Sequence, residues 1–163
     1  MPDCLFCKIA RKEFGSAVIY ENGDVLAFLD INPRAPGHAM VVSRTHSETL
    51  LDLPDEALAP LFEGVKTVTA MLERALAPDG FTIGINHGKA SGQAVDHLHV
   101  HVIPRFTGDG GGSIHTVVSP AKERGWNANG ASHLRSPNPQ AKSEAHPPKE
   151  ALEEMAARIR KAQ

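Results

Sequence analysis

The sequence predicts a mixed α and β fold in which short strands alternate around one long helix and a second helix follows near the C-terminus. Three observations carry that expectation: two apolar runs separated by Glu21-Asn22-Gly23-Asp24, an apolar series at helical spacing after Pro54, and a period-two run over 97–103. Residues 18–20 and 25–29 flank the polar turn and read as a hairpin. The turn-rich Asn32-Pro33-Arg34-Ala35-Pro36-Gly37 comes next, and 38–43 is apolar and β-branched enough for a third strand. Pro54 suits the first position of a helix, where its missing amide costs nothing. Leu58, Leu61, Phe62, Val65, Leu72 and Leu76 then recur on one stripe, which ends near Pro78-Asp79-Gly80. Residues 81–86 and 97–104 read as strands joined by 87–96, a connection long enough to be functional. Residues 149–162 read as a helix with Leu152, Met155, Ala156 and Ile159 on one stripe and Glu154 placed four before Arg158.

A chain of 163 residues is the size of one domain with room for an extension. Apolar residues number 50 in 1–106, 10 in 107–148 and 7 in 149–163, so the core is mostly N-terminal. The middle stretch holds 19 Gly, Pro, Ser or Asn among its 42 residues and cannot offset chain entropy by burial on its own. It reads as an irregular extension with Trp126 as its anchor. A net charge of −2 and a pI near 6.5 provide no broad cationic field, which argues against nucleic acid as a partner. Any phosphate must be met locally. No apolar run approaches the ~20 residues needed to cross a bilayer, and Met1-Pro2-Asp3 opens no signal peptide, so no membrane partner and a cytoplasmic location are expected. The two cysteines, spaced Cys4-x-x-Cys7, are too few for a disulfide scaffold. That spacing is open to three interpretations: a metal half-site, a redox pair, or two buried thiols. The redox interpretation wants a strand leading into the motif, and here the motif begins within the first few residues.

The nine histidines are the informative surplus. His97, His99 and His101 alternate with Leu98, Val100 and Val102, which in a strand puts the imidazoles on one face, ~7 Å apart, and the apolar residues on the core side. Chance would produce such a run about 0.03 times in a chain of this composition. Three explanations compete: ordinary strand residues, two metal ligands of a hydrolase, or an imidazole nucleophile toward phosphorus flanked by two rings that contact phosphate oxygens and the departing group.

His97 to Ile103 matches every position of His-φ-His-φ-His-φ-φ, where φ is apolar, and here the sequence resembles the histidine-triad family of nucleotide hydrolases and transferases, most of all its bacterial nucleotide-binding branch. The likeness spans roughly residues 3–106, including Phe28 to His38 upstream and Asn86 to Gln93 before the triad. It implies an α+β fold, mainly an antiparallel sheet with helices on one side, and a symmetric homodimer. It further implies a catalytic domain over 1–106; the 107–148 extension departs from the family's usual short tail, and the helix at 149–163 closes the sequence. His99 would attack the α-phosphorus to form a nucleotidyl-histidine that water then cleaves, with its other ring nitrogen donating to a backbone carbonyl. His101 would contact the phosphate or leaving atom, and His38 would be the fourth histidine of the site. Asp30 would grip the ribose hydroxyls, a task suited to a carboxylate, although an Asp there also suits a turn cap. Leu5, Phe6, Ile9, Phe28 and Ile31 match an apolar base pocket, for which a purine is expected, and would equally fill core. Asn86 and Gln93 stand at family positions for phosphate or ribose contacts. Ala94 replaces a hydroxyl that many relatives carry.

The resemblance also completes Cys4 and Cys7 with His46 and His97 as a closed, structural zinc site, with no catalytic metal required. The expected activity is cleavage of a nucleoside phosphoramidate or similar nucleotide conjugate. Dinucleoside polyphosphate hydrolysis is the alternative within the same chemistry, and a nucleotide-binding interaction protein with incidental catalysis is the alternative outside it.

Overall fold

The computed structural model describes residues 3–114 and 147–162. Trp126 and most of the 107–148 extension lie outside the described residues. Five strands form one sheet in the order β1-β2-β3-β5-β4, every neighbouring pair antiparallel: β1 Val18–Glu21, β2 Val25–Leu29, β3 Ala39–Ser43, β4 Gly80–Gly84 and β5 His99–Arg105. The predicted hairpin is β1 and β2. Among the described residues three α-helices accompany the sheet: α1 Leu5–Ala10, α2 Asp55–Leu76 and α3 Lys149–Arg160. Among the described residues no helix is long and apolar enough to cross a membrane.

Period-two alternation divides the sheet into two faces. Val25, Ala27, Leu29, Ala39, Val41, Val100 and Val102 point to one, where Leu61, Val65, Val68, Met71 and Leu72 of α2 and Ala156 and Ile159 of α3 complete the main core. Leu98, just before β5, joins them, so all three apolar partners of the histidines are core-facing as expected. On the other face Leu26, Phe28, Met40 and Val42 pack with Phe6 and Ile9 of α1. The two long helices thus share one side, while α1, which the sequence pattern did not reveal, covers the other. Both faces of β2 and β3 are buried, which accounts for their continuous apolar runs.

Two expectations about α2 are corrected. Pro54 stands one residue ahead, at the N-cap position, with Asp55 and Glu56 in the first turn. Phe62, expected on the buried stripe, is 47% exposed. Leu61, Val65, Val68 and Leu72 define the centre of that stripe, and the 100° step from Leu61 to Phe62 carries the ring off it. Gly37 sets the entry to β3. Its φ of 82° is the left-handed conformation that glycine adopts freely, and an added Cβ would run into Leu76. That turn delivers His38 to the edge of the second face.

Candidate functional site

Cys4 is the N-cap of α1 and Cys7 lies inside it, three residues on, so one helical turn brings both thiols to the same side. They meet His46, which follows β3, and His97, which precedes β5. Cys4 Sγ lies 3.3 Å from His97 Nδ1, Cys7 Sγ 3.6 Å from the same atom and 3.4 Å from His46 Nδ1, and the two Nδ1 atoms are 3.3 Å apart. A tetrahedral zinc with bonds of about 2.3 Å to sulfur and 2.0–2.1 Å to nitrogen requires edges of about 3.6 Å between S and N and about 3.3 Å between N and N. The four donors fit that ion. His97 Nε2 donates to the Ser43 carbonyl at 2.9 Å, which leaves the Nδ1 lone pair aimed at the cluster. Burial, helped by the His46 and His99 rings and opposed by the Ser43 carbonyl, holds His97 at about 4, so it is neutral as a ligand must be. Burial and then Cys4 push the Cys7 thiol up, a cost that a bound cation reverses.

The second cluster lies further along the same strand face. His99, 5% exposed, sits opposite Val42, and His101 opposite Met40. Nδ1 of His99 donates to the His97 carbonyl at 2.7 Å, the carbonyl bond expected for that ring. When His99 is neutral its Nε2 therefore carries the lone pair. The His101 ring stands edge-to-face against it, centroids 4.9 Å apart. His38, 3% exposed, accepts the Arg34 backbone N–H at Nδ1 (3.2 Å), so its proton sits on Nε2, which faces His101 Nδ1 at 2.9 Å and Asp30 Oδ2 at 3.6 Å. The same logic leaves the proton of neutral His101 on its Nε2. Burial, with the His99 and His38 rings, holds His101 at about 4 against the pull of Asp30. His38 is also lowered by burial, again opposed by Asp30.

The donor atoms of Asp30, His38 and His101 come close enough together to suggest a second metal site. The Arg34 amide argues against it, because a ligand nitrogen needs a lone pair where His38 presents a proton. Asp30 also donates its backbone N–H to the His38 carbonyl at 2.9 Å and receives the Asn32 N–H at Oδ1 (2.8 Å), so it caps the turn with one oxygen and keeps the other toward the histidines.

The remaining expected residues divide. Phe6, Ile9 and Phe28 are buried together, and Phe6 stands edge-on to Phe28, His97 and His99 with centroids 5.2, 5.8 and 5.3 Å away. Leu5 and Ile31 are 37% and 54% exposed. Asn86 is half-buried beside Gly92. Gln93 is fully engaged with the backbone: Oε1 accepts from Gly88 N at 2.7 Å, and Nε2 donates to the Glu48 and Val95 carbonyls at 2.6 and 3.1 Å. It shapes the 87–96 loop. Two contributors escaped the sequence: the Arg34 amide and the Ser43 carbonyl. Main-chain groups leave no trace in residue identity.

Alternate histidines leading into and along β5, which lies between β3 and β4 in an antiparallel five-stranded sheet, define the class of protein. The HIT domain family signature matches residues 11–108, and the chain belongs to that family. Across 102 residues, 63% of this chain and 74% of the relative, it is 37% identical to adenosine 5′-monophosphoramidase hnt1 of Schizosaccharomyces pombe. Among solved structures it is similar to a Hit-like protein involved in cell-cycle regulation from Bartonella henselae (TM-score 0.74, 32% identity, 100% of this chain and 98% of that one). It is also similar to a Zn-bound histidine triad family protein from Mycobacterium smegmatis (TM-score 0.62, 31% identity, 98% and 92% covered).

Proposed function

We propose that this chain hydrolyses a nucleoside 5′-phosphoramidate or similar nucleotide conjugate at the α-phosphorus, through a nucleotide bound covalently to His99. The observation that carries this is the 2.7 Å bond from His99 Nδ1 to the His97 carbonyl, which fixes the tautomer with a lone pair on Nε2. In the first step a bond forms between Nε2 and phosphorus while the bond to the leaving amine breaks, and the amine departs with one proton gained. In the second, water attacks phosphorus, the bond to His99 breaks, and one proton is released, so the cycle balances. His101, with its Nε2 proton directed away from His38, contacts a phosphate oxygen or the departing atom. Asp30 holds the ribose hydroxyls through the oxygen not used in the turn. Leu5 and Ile31, 37% and 54% exposed, offer an apolar face to a purine, while Phe6, Ile9 and Phe28 belong to the buried core behind the histidines, and Asn86 is assigned a phosphate or ribose contact. Gln93 supports the loop from beneath.

Cys4, Cys7, His46 and His97 would hold a structural zinc, which supplies a fixed link between α1 and the start of β5. No metal is needed at the reacting phosphorus. The homodimer implied by the family is consistent with the edge position of β4 among the described residues, where Ile83 is 42% exposed, and light scattering of the purified chain tests it. A yeast relative named as a monophosphoramidase favours an amine leaving group, so parallel assays with an aminoacyl-adenylate mimic and a diadenosine polyphosphate measure that preference. The deciding experiment is mass spectrometry of protein quenched during turnover. A nucleotide adduct on His99 is expected, and full turnover by His99→Ala would refute the assignment.

A further inference from the structure

His97 belongs to both clusters. Its Nδ1 faces Cys4, Cys7 and His46, its Nε2 is fixed on the Ser43 carbonyl, and its own carbonyl accepts from His99 Nδ1. A ring with both nitrogens engaged cannot turn without breaking one of those contacts, and its main chain lies two residues before the nucleophile. A second connection runs through α1. Phe6 lies between Cys4 and Cys7, so a cation that holds those thiols also constrains the helical turn bearing its ring, which stands edge-on to both His97 and His99 and is backed by Phe28. Edge-to-face contacts of this kind favour a defined ring orientation beyond what burial alone supplies.

On the reading of His99 as nucleophile, we infer that the metal centre orients that nucleophile: ligation acting through His97 and through Phe6 fixes the aim of His99, so that metal loading sets kcat as well as stability. His97 and Phe6 are positioning residues in this scheme. A centre that merely staples the N-terminus to the sheet would change the melting temperature and leave the folded enzyme's kcat alone. Misplacing a reacting group by about 1 Å costs up to about a hundredfold in rate, so the coupling is large enough to measure.

The test compares zinc-loaded and chelator-stripped full-length chain at one fixed pH and at a temperature where circular dichroism reports both folded. The ¹⁵N NMR signals of the His99 ring are read beside steady-state kinetics. The stripped chain is expected to lose the sharp Nδ1–H signal of His99 and to fall about tenfold or more in kcat while KM moves less than about threefold, both reversed by added zinc. A folded, stripped chain with an unchanged signal and unchanged kcat overturns the inference. Should stripping unfold the chain, zinc-loaded Phe6→Leu decides. Retained zinc with a broadened His99 signal and a several-fold lower kcat supports the coupling, and retained zinc with both unchanged defeats it. The ring signal needs no turnover, so a zinc-loaded wild type that fails to act on any nucleotide conjugate would refute the proposed activity while the signal still tests the coupling.

Discussion

His97 and His38 are both almost wholly buried, 1% and 3% exposed, yet their surroundings put the proton on opposite sides of their functional tasks. At His97 a carbonyl, that of Ser43, takes the proton, so the nitrogen facing its cluster is a lone pair able to bind a cation. At His38 an amide, that of Arg34, takes the lone pair, so the nitrogen facing its cluster carries a proton able to donate. One main-chain partner per ring separates a ligand from a hydrogen-bond donor. The lesson is that buried histidines leading into neighbouring strands are assigned by what lies behind them, since the imidazole is the same in both.

Substitutions in the two clusters should therefore differ in what accompanies lost turnover: bound zinc and stability fall with it in the first cluster and are kept in the second. The largest effect is expected at His99. His99→Ala should lose roughly a thousandfold or more in kcat while nucleotide monophosphate affinity, measured calorimetrically, stays within about threefold. The paired Cys4→Ala and Cys7→Ala substitution should abolish bound zinc by elemental analysis. At free zinc about a thousandfold above its dissociation constant, stability falls by about 4 kcal/mol, seen as a melting temperature lower by roughly 10 °C. Full zinc content in that variant would break the ligand assignment.

Third comes pH. His101 is held neutral to about 4 when folded and titrates near 6.5 when unfolded, so its contribution is present above about 6.5 and lost as pH falls toward 4. The loss has a slope of up to about 1.4 kcal/mol per pH unit. His99, His38 and Asp30 are the titratable neighbours. Urea unfolding at pH 7 and pH 5 should therefore show a smaller difference for His101→Gln than for wild type, and equal differences would remove His101 as the cause. The smallest effect concerns Asp30→Asn, expected to reduce discrimination between a ribonucleotide and its 2′-deoxy analogue by about tenfold in kcat/KM.

Much of this architecture is written in side-chain periodicity. The hairpin, β3, α2 and α3 follow from apolar spacing, and the three apolar partners of the histidines fall on the core side because a strand allows no other arrangement. The six-residue α1 is too short to announce a period, and its place is fixed by packing Phe6 and Ile9 against the sheet. Gln93 illustrates a different limit. An amide with two donors and one acceptor suits a phosphate, a ribose or three backbone groups equally, and only the folded loop decides among them. The Arg34 and Ser43 main-chain groups, which fix the tautomers, have no counterpart in residue identity at all. Composition located the chemistry, and the turn geometry completed it.

Arg160 of α3 donates to the carbonyl of Val18 in β1, and Ala156 and Ile159 of the same helix fill the core against α2. The sheet side of that core is assembled by residues up to 105, so on the ribosome it stays partly uncovered until a further fifty or so residues have emerged. A nascent chain arrested before α3 would display an open apolar surface, which makes this helix the element whose arrival closes the window for chaperone capture or aggregation.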